Sequence, residues 1–167
     1  LADCGSPRDA DLKELPLGKG AVVREGGDVV IFGLGKAAAA AVEAAERLAE
    51  YGIECGVVNP IFVKPLDVGL ILDAAGATRR IVTVEENVLA GGFGSAVLEA
   101  LSEAGMEDVS VHRIGMPDSF IEHGTAADQR RGLELDAEGI ARQVLSVFFP
   151  EAESQTSGAD REVAARA

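Results

Sequence analysis

Between residues 20 and 149, short runs rich in Val and Ile alternate with longer stretches of helical spacing, and this alternation limits the possible folds more than any other feature. The apolar runs are Val29–Phe32, Ile53–Val58, Arg80–Val84 and Val109–Ile114, and helical patterns over Lys36–Tyr51, Val68–Ala75 and Ser95–Ala104 separate them. Strands without polar alternation are buried on both faces, which places them in a parallel sheet covered by helices on either side. The expected class is α/β, a three-layer α/β/α arrangement with a mainly parallel sheet. Ala21–Arg24, followed by Glu25-Gly26-Gly27-Asp28, predicts a short strand and turn that can pair antiparallel at an edge.

The helices carry their own punctuation. The first places Ala38, Val42, Ala45 and Ala49 on one stripe, with Glu43 and Arg47 paired outside and Gly52 positioned to end it. Asp67 is a good N-cap for a second helix bearing Val68, Ile71, Leu72 and Ala75, and Gly76 is its expected stop. The last helix has Asp136 as N-cap and Leu135 placed to staple against Ile140. Its apolar face of Ile140, Val144, Val147 and Phe148 is expected to dock near an edge of the sheet.

Length and charge narrow the function classes. A chain of 167 residues suits one domain with a full core, and with 47% apolar but only 4% aromatic residues that core is aliphatic. A formal charge of −13 repels nucleic acid phosphates and anionic lipid alike, so neither a nucleic acid nor a membrane is an expected partner. No apolar run reaches the roughly 20 residues of a membrane span and no basic, apolar leader opens the chain, which makes the cytoplasm the default location. Cys4 sits in a polar leader, whereas Cys55 lies inside the apolar run Ile53–Val58 and is expected to be a buried free thiol. Residues 1–19 have the composition of a linker and 150–167 that of a flexible polar tail, leaving a domain over 20–149. An opening at Leu1 instead of Met suggests a piece of something longer.

Most familiar catalytic patterns are absent. Gly33-Leu34-Gly35-Lys36-Ala37-Ala38 satisfies a permissive dinucleotide fingerprint, yet the next strand ends at Asn59 instead of the acid that would hold a ribose. Lys36 lacks the spacing of a Walker loop, Ser95 is not the centre of a nucleophile elbow, and His112 and His123 have no Cys or His companions at metal-ligand spacing. Two polar clusters remain. In Thr83-Val84-Glu85-Glu86-Asn87 and Gly91-Gly92-Phe93-Gly94-Ser95, carboxylates leave a strand just before a glycine-rich helix start. Ligands bind at that edge of open α/β sheets, but Glu85 or Glu86 can equally satisfy the helix N–H groups internally. In Pro117–Gly124, Asp118 can cap a turn and His123 can reach across a domain boundary.

Taken in order, Leu17-Gly18-Lys19-Gly20, Phe62-Val63-Lys64-Pro65-Leu66-Asp67, Val84-Glu85-Glu86-Asn87 with Gly91–Ser95, and Pro117-Asp118 through Ile121-Glu122-His123-Gly124 resemble the C-terminal domain of the 1-deoxy-D-xylulose-5-phosphate synthase family, over about Leu15 to Phe149. Asp118–Gly124 with Ala127-Asp128-Gln129 favours this synthase over its transketolase relatives. Ile61 departs from the family, where a basic residue commonly stands.

The resemblance implies a five-stranded sheet with one antiparallel edge strand. It also implies an enzyme that joins pyruvate to glyceraldehyde 3-phosphate with loss of carbon dioxide, using thiamine diphosphate and magnesium. In the family that cofactor and metal are held by the first two domains, which are missing here, and Gly26-Gly27-Asp28 is not the family's Gly-Asp-Gly. The implied role is assembly. The expected partners are the missing N-terminal and middle domains and a second subunit of a homodimer. Glu85, Glu86, Gly91, Gly92, Gly94, Ser95, Asp118 and His123 are the candidate contacts, with no catalytic, cofactor or metal residue assigned and no activity expected of the piece alone. The other readings are the same domain of a transketolase or a 2-oxo-acid dehydrogenase β-subunit, and a free-standing module that senses a nucleotide at Gly33–Ala38.

Overall fold

The computed structural model describes residues 14–152. The elements in chain order are β1 (Ala21–Arg24), β2 (Val29–Gly33), α1 (Ala37–Ala49), β3 (Cys55–Asn59), α2 (Val68–Thr78), β4 (Arg80–Val88), α3 (Phe93–Glu103), β5 (Ser110–Met116), α4 (Ala126–Gly132) and α5 (Ala137–Phe148). The strands form one five-stranded sheet in the order β1-β3-β2-β4-β5. Every pairing is parallel except that of β1 with β3, so β1 is the antiparallel edge strand.

The period of two along each strand divides the core into two layers. Val29, Ile31, Cys55, Val57, Val82, Val84 and Ile114 face one side, where α1 and α5 supply Ala41, Ala44, Leu48, Ile140 and Val144. Val30, Phe32, Val58 and Ile81 face the other side, against Ile71 and Ala75 of α2 and Phe93, Val97 and Leu101 of α3. The alanines of α1 bring that helix close to the sheet. A fully buried Ile or Phe contributes roughly 1.5–3 kcal/mol, so these two layers dominate stability.

Several sequence expectations need correction. The buried face of α1 is Ala37, Ala41, Ala44, Ala45 and Leu48, leaving Ala49 exposed and Ala38 and Val42 only partly covered; a run of near-identical small residues gives periodicity little to phase on. Helix α2 passes through Gly76 and ends at Thr78, where Arg79 takes a left-handed φ of 57°. The glycine penalty of about 1 kcal/mol is smaller than the gain from burying Ile71, Ala75 and Thr78. Strand β4 continues four residues past Val84, with a register irregularity against β5. In α5, Leu135 and Ile140 share a cluster as a staple would, but Val147 is 48% exposed and the buried stripe is Ala137, Ile140, Ala141, Val144 and Leu145.

Helix α4 was not expected, because it buries no residue. Its signals are polar: Thr125 accepts from the Asp128 N–H as N-cap, and Arg130 and Arg131 occupy the last turn. Cys55 is free and buried. Cys4, with most of the proposed linker and tail (residues 1–13 and 153–167), lies outside the described residues.

Candidate functional site

The connection β2–α1–β3 runs to one side of β2, and β3–α2–β4 returns past it to the other. The carboxyl ends of β2 and β4 therefore form a topological switch point, where open α/β sheets bind ligands. The Leu34 N–H donates to the Val84 carbonyl at 2.9 Å, which holds the two ends together. Gly33–Lys36, Glu85–Asn87 and Gly91–Ser95 all meet this edge.

Glu85 sits on the α3 side of β4 and is 0% exposed. Its Oε2 accepts from the Phe93 N–H at 2.7 Å and its Oε1 from the Gly94 N–H at 2.9 Å. The carboxylate thus satisfies two of the helix donors that would otherwise be orphaned, and its charge complements the positive end of the helix. Between the two candidates for internal capping, Glu85 does it. Gly92 is required by that approach, since a Cβ there would lie 2.4 Å from Glu85 Oε2 and 2.5 Å from the Val88 carbonyl. At Gly94 a Cβ would meet Thr83 Oγ1 at 2.6 Å and Arg113 Cδ at 2.8 Å.

The turn before α3 is tied down from outside the helix. Ser95 Oγ donates to the Leu89 carbonyl at 3.0 Å and accepts from the Gly91 N–H at 3.1 Å. Arg113 Nη1 donates to the same carbonyl at 2.9 Å and to Ser95 Oγ at 3.1 Å. Glu86 turns to the other face and pairs with Arg130 Nε at 2.5 Å, both side chains about one-third exposed. Beside them is a small groove lined by Lys36, Glu43, Glu86, Arg130 and Asp136, whose mixed signs favour no single ligand charge.

Sequence reasoning missed Arg113 and Arg130. The only trace of Arg113 was one cation inside the apolar run Val109–Ile114. Thr83 Oγ1 is buried without a hydrogen-bond partner among the described residues, covered by Gly94 and the methylenes of Arg113.

The other candidates are separate from this cluster. Asp118 and His123 are exposed on the loop after β5, whose Phe120 is 94% exposed. His112 is 2.9 Å from Gln143 Oε1, between β5 and α5. At the dinucleotide-like turn, the N–H groups of Ala37, Ala38 and Ala39 donate to the carbonyls of Leu34, Gly35 and Lys36, so the start of α1 is satisfied locally. Gly33 is needed there because a Cβ would lie 2.7 Å from Ala38 Cα. Asn59 Oδ1 accepts from the Ile61 N–H, in a turn where Ile61 has φ 59°.

A second buried carboxylate shapes the entry to the domain. Asp67 Oδ1 accepts from Lys19 Nζ at 3.1 Å and from the Leu70 N–H at 3.4 Å, while Oδ2 accepts from the Gly20 N–H at 3.1 Å. Burial opposes its charge, but the donors from Gly20, Lys19 and Leu70 outweigh that penalty and hold its pKa below the ordinary carboxylate value. Among the described residues, no three His, Cys, Asp or Glu side chains converge as a metal site would require.

Comparison with known proteins agrees with this geometry. The model of the transketolase C-terminal domain matches residues 18–140. The 1-deoxy-D-xylulose-5-phosphate synthase 1 of Geobacter sulfurreducens is 51% identical over 140 residues, 84% of this chain and 22% of that protein. The synthase of Pelotomaculum thermopropionicum is 48% identical over 147 residues, 88% of this chain and 23% of that protein. The chain therefore spans a little over a fifth of the length of these curated relatives. Among solved structures, a split-gene transketolase described as an inactive β4 tetramer superimposes with a TM-score of 0.75 at 36% identity, over 84% of this chain and 45% of that one. A Pichia stipitis transketolase variant in complex with fructose 6-phosphate, at 19% identity and a TM-score of 0.56, covers 78% of this chain and 18% of its own and shares the fold. With the family model, the close relatives and the sheet order in agreement, the chain belongs to the transketolase C-terminal domain family.

Proposed function

We propose that this chain is the C-terminal, assembly-supporting domain of a 1-deoxy-D-xylulose-5-phosphate synthase. The intact enzyme condenses pyruvate with glyceraldehyde 3-phosphate to give 1-deoxy-D-xylulose 5-phosphate and carbon dioxide, and works as a cytoplasmic homodimer. The domain body runs from residue 20 to 149, with 1–19 as a connecting segment and 150–167 as a tail.

The observation that carries this reading is the state of Glu85. Among the described residues, the one fully buried carboxylate at the switch point accepts a backbone N–H on each oxygen and is 0% exposed, so it serves the turn and is closed off from substrate or cofactor. Thiamine diphosphate supplies the carbanion chemistry when bound, and needs a carboxylate on its aminopyrimidine and a metal clamp on its diphosphate. The described residues do not fit that group. Both cofactor and magnesium belong to other parts of the polypeptide. Glu85, Gly92, Gly94 and Ser95 build a rigid turn, and that turn presents Gly91 and Glu86; the loop after β5, separate from it, presents Asp118 and His123. These are the surfaces offered to neighbouring domains and to the second subunit.

The test is an assay of the isolated chain with pyruvate, glyceraldehyde 3-phosphate, thiamine diphosphate and magnesium. No product is expected, whereas the longer polypeptide containing the chain turns over. Turnover by the 167-residue chain alone overturns the reading. Two-carbon transfer from ketose phosphates by the longer polypeptide, without pyruvate condensation, would reassign it to a transketolase.

A further inference from the structure

Exposed apolar side chains gather at one corner of the domain. Leu15, Leu17, Val22, Val63 and Val68 are between 37% and 75% exposed, where the segment entering β1 crosses the loop before α2. The contacts between those two segments hold the corner together. A Cβ on Gly18 would lie 2.8 Å from Pro65 Cγ and one on Gly20 2.7 Å from Leu70 Cδ2. Lys19 is bonded to Asp67 between them. From the same corner an apolar groove of about 210 Å³ extends under β1, walled by Val22, Val58, Leu70 and Ala74. Single exposed apolar residues need no explanation, but a grouped set on a fixed surface marks an interface.

We infer that this corner seats the domain that precedes this one in the intact polypeptide, an inference that rests on the function proposed above. Two observations select that occupant. The matched stretch is only 22–23% of each curated relative and the matched family is a C-terminal domain, so most of the remaining polypeptide comes before it. The described chain then enters the domain through Leu15 and Leu17 themselves, so the polypeptide on the N-terminal side is joined to the domain at this corner.

Amide hydrogen exchange on the 167-residue chain and on the longer polypeptide that contains it tests the inference. Residues 15–24 and 63–68 are expected to exchange at least about ten-fold more slowly in the longer polypeptide, the protection that burial of one or two apolar side chains provides. Leu17→Asp and Val63→Asp, both surface changes that leave the core intact, are expected to remove that protection and to speed proteolytic release of the domain. Equal exchange of these segments in both chains, with protection elsewhere, overturns the inference. So does protection that appears in the 167-residue chain alone as its concentration rises, which would assign the corner to a second copy. The synthase activity of the longer polypeptide is measured in parallel. If activity is present and protection absent, the corner is wrong and the function stands; if activity is absent, the function itself falls.

Discussion

At the residue scale, Glu85 shows how a carboxylate at the ligand-binding edge of a sheet can cap the helix start beside it. Its two oxygens receive two N–H donors, and Gly92 leaves just the space it needs. Glu85→Gln keeps the shape but turns one acceptor into a donor facing an N–H. A buried unsatisfied group costs about 1–3 kcal/mol, and at least that loss is expected in urea denaturation; a neutral result would mean that the turn does not depend on the charge. Thr83 predicts the opposite sign. Its buried hydroxyl has no partner among the described residues, and Val has nearly the same shape, so Thr83→Val is expected to leave stability unchanged or raise it by about 1 kcal/mol. A clear loss in the same denaturation experiment would reveal a partner for the hydroxyl. Neither behaviour was legible in the sequence. Glu85 and Glu86 are adjacent and chemically alike, and only the strand's alternation, continued past its expected end at Val84, sends one under α3 and the other out to Arg130.

Element boundaries follow from how strongly local signals oppose tertiary packing. The strands and the caps at Asp67 and Asp136 were legible because Val- and Ile-rich runs and N-cap side chains act locally. The phase of α1 was not, since its Ala run looks alike from several directions, and α4 was invisible to apolar periodicity because it has no apolar face. Gly76 misled because a glycine weakens a helix without having to end it. At the start of α2, the cap also clasps Lys19 and Gly20 of the entering segment, and this makes the element sensitive to acid. The Asp67 pKa is lowered in the folded state. Its stabilisation is therefore fully present above the ordinary carboxylate value of about 3.9 and is lost as pH falls through the lowered folded value. Asp67→Asn removes the charge and keeps the shape. The variant's deficit in melting temperature is expected to be largest near neutrality and to shrink below about pH 4. A deficit that stays constant from pH 7 to pH 3 would show that the carboxylate's charge contributes nothing.

For the whole molecule, the question is whether the two core layers, which share only the sheet, unfold together. Cys55 offers a probe, because it lies at the α1 and α5 face with 0% exposure. Burial, opposed by Arg24 and reinforced by Asp28, pushes its thiol pKa up to about 12. At pH 8 the folded thiol is both protonated and shielded, so alkylation requires opening of the domain. With Cys4→Ser removing the other thiol, Cys55 becomes the only target in the chain. Glu85→Gln acts at the start of α3 and Asp67→Asn at the start of α2, both on the opposite face of the sheet. If the domain opens as one unit, each substitution speeds Cys55 labelling by the factor its own stability loss dictates, about ten-fold for each 1.4 kcal/mol. If the layers open separately, Glu85→Gln lowers the denaturation midpoint seen on the α3 side while Cys55 labelling stays at the unsubstituted rate. The cooperative outcome is expected, because β2 and β4 carry residues of both layers on the same backbone. Val30 and Phe32 cannot leave the α2 and α3 layer without pulling Val29 and Ile31 out of the other.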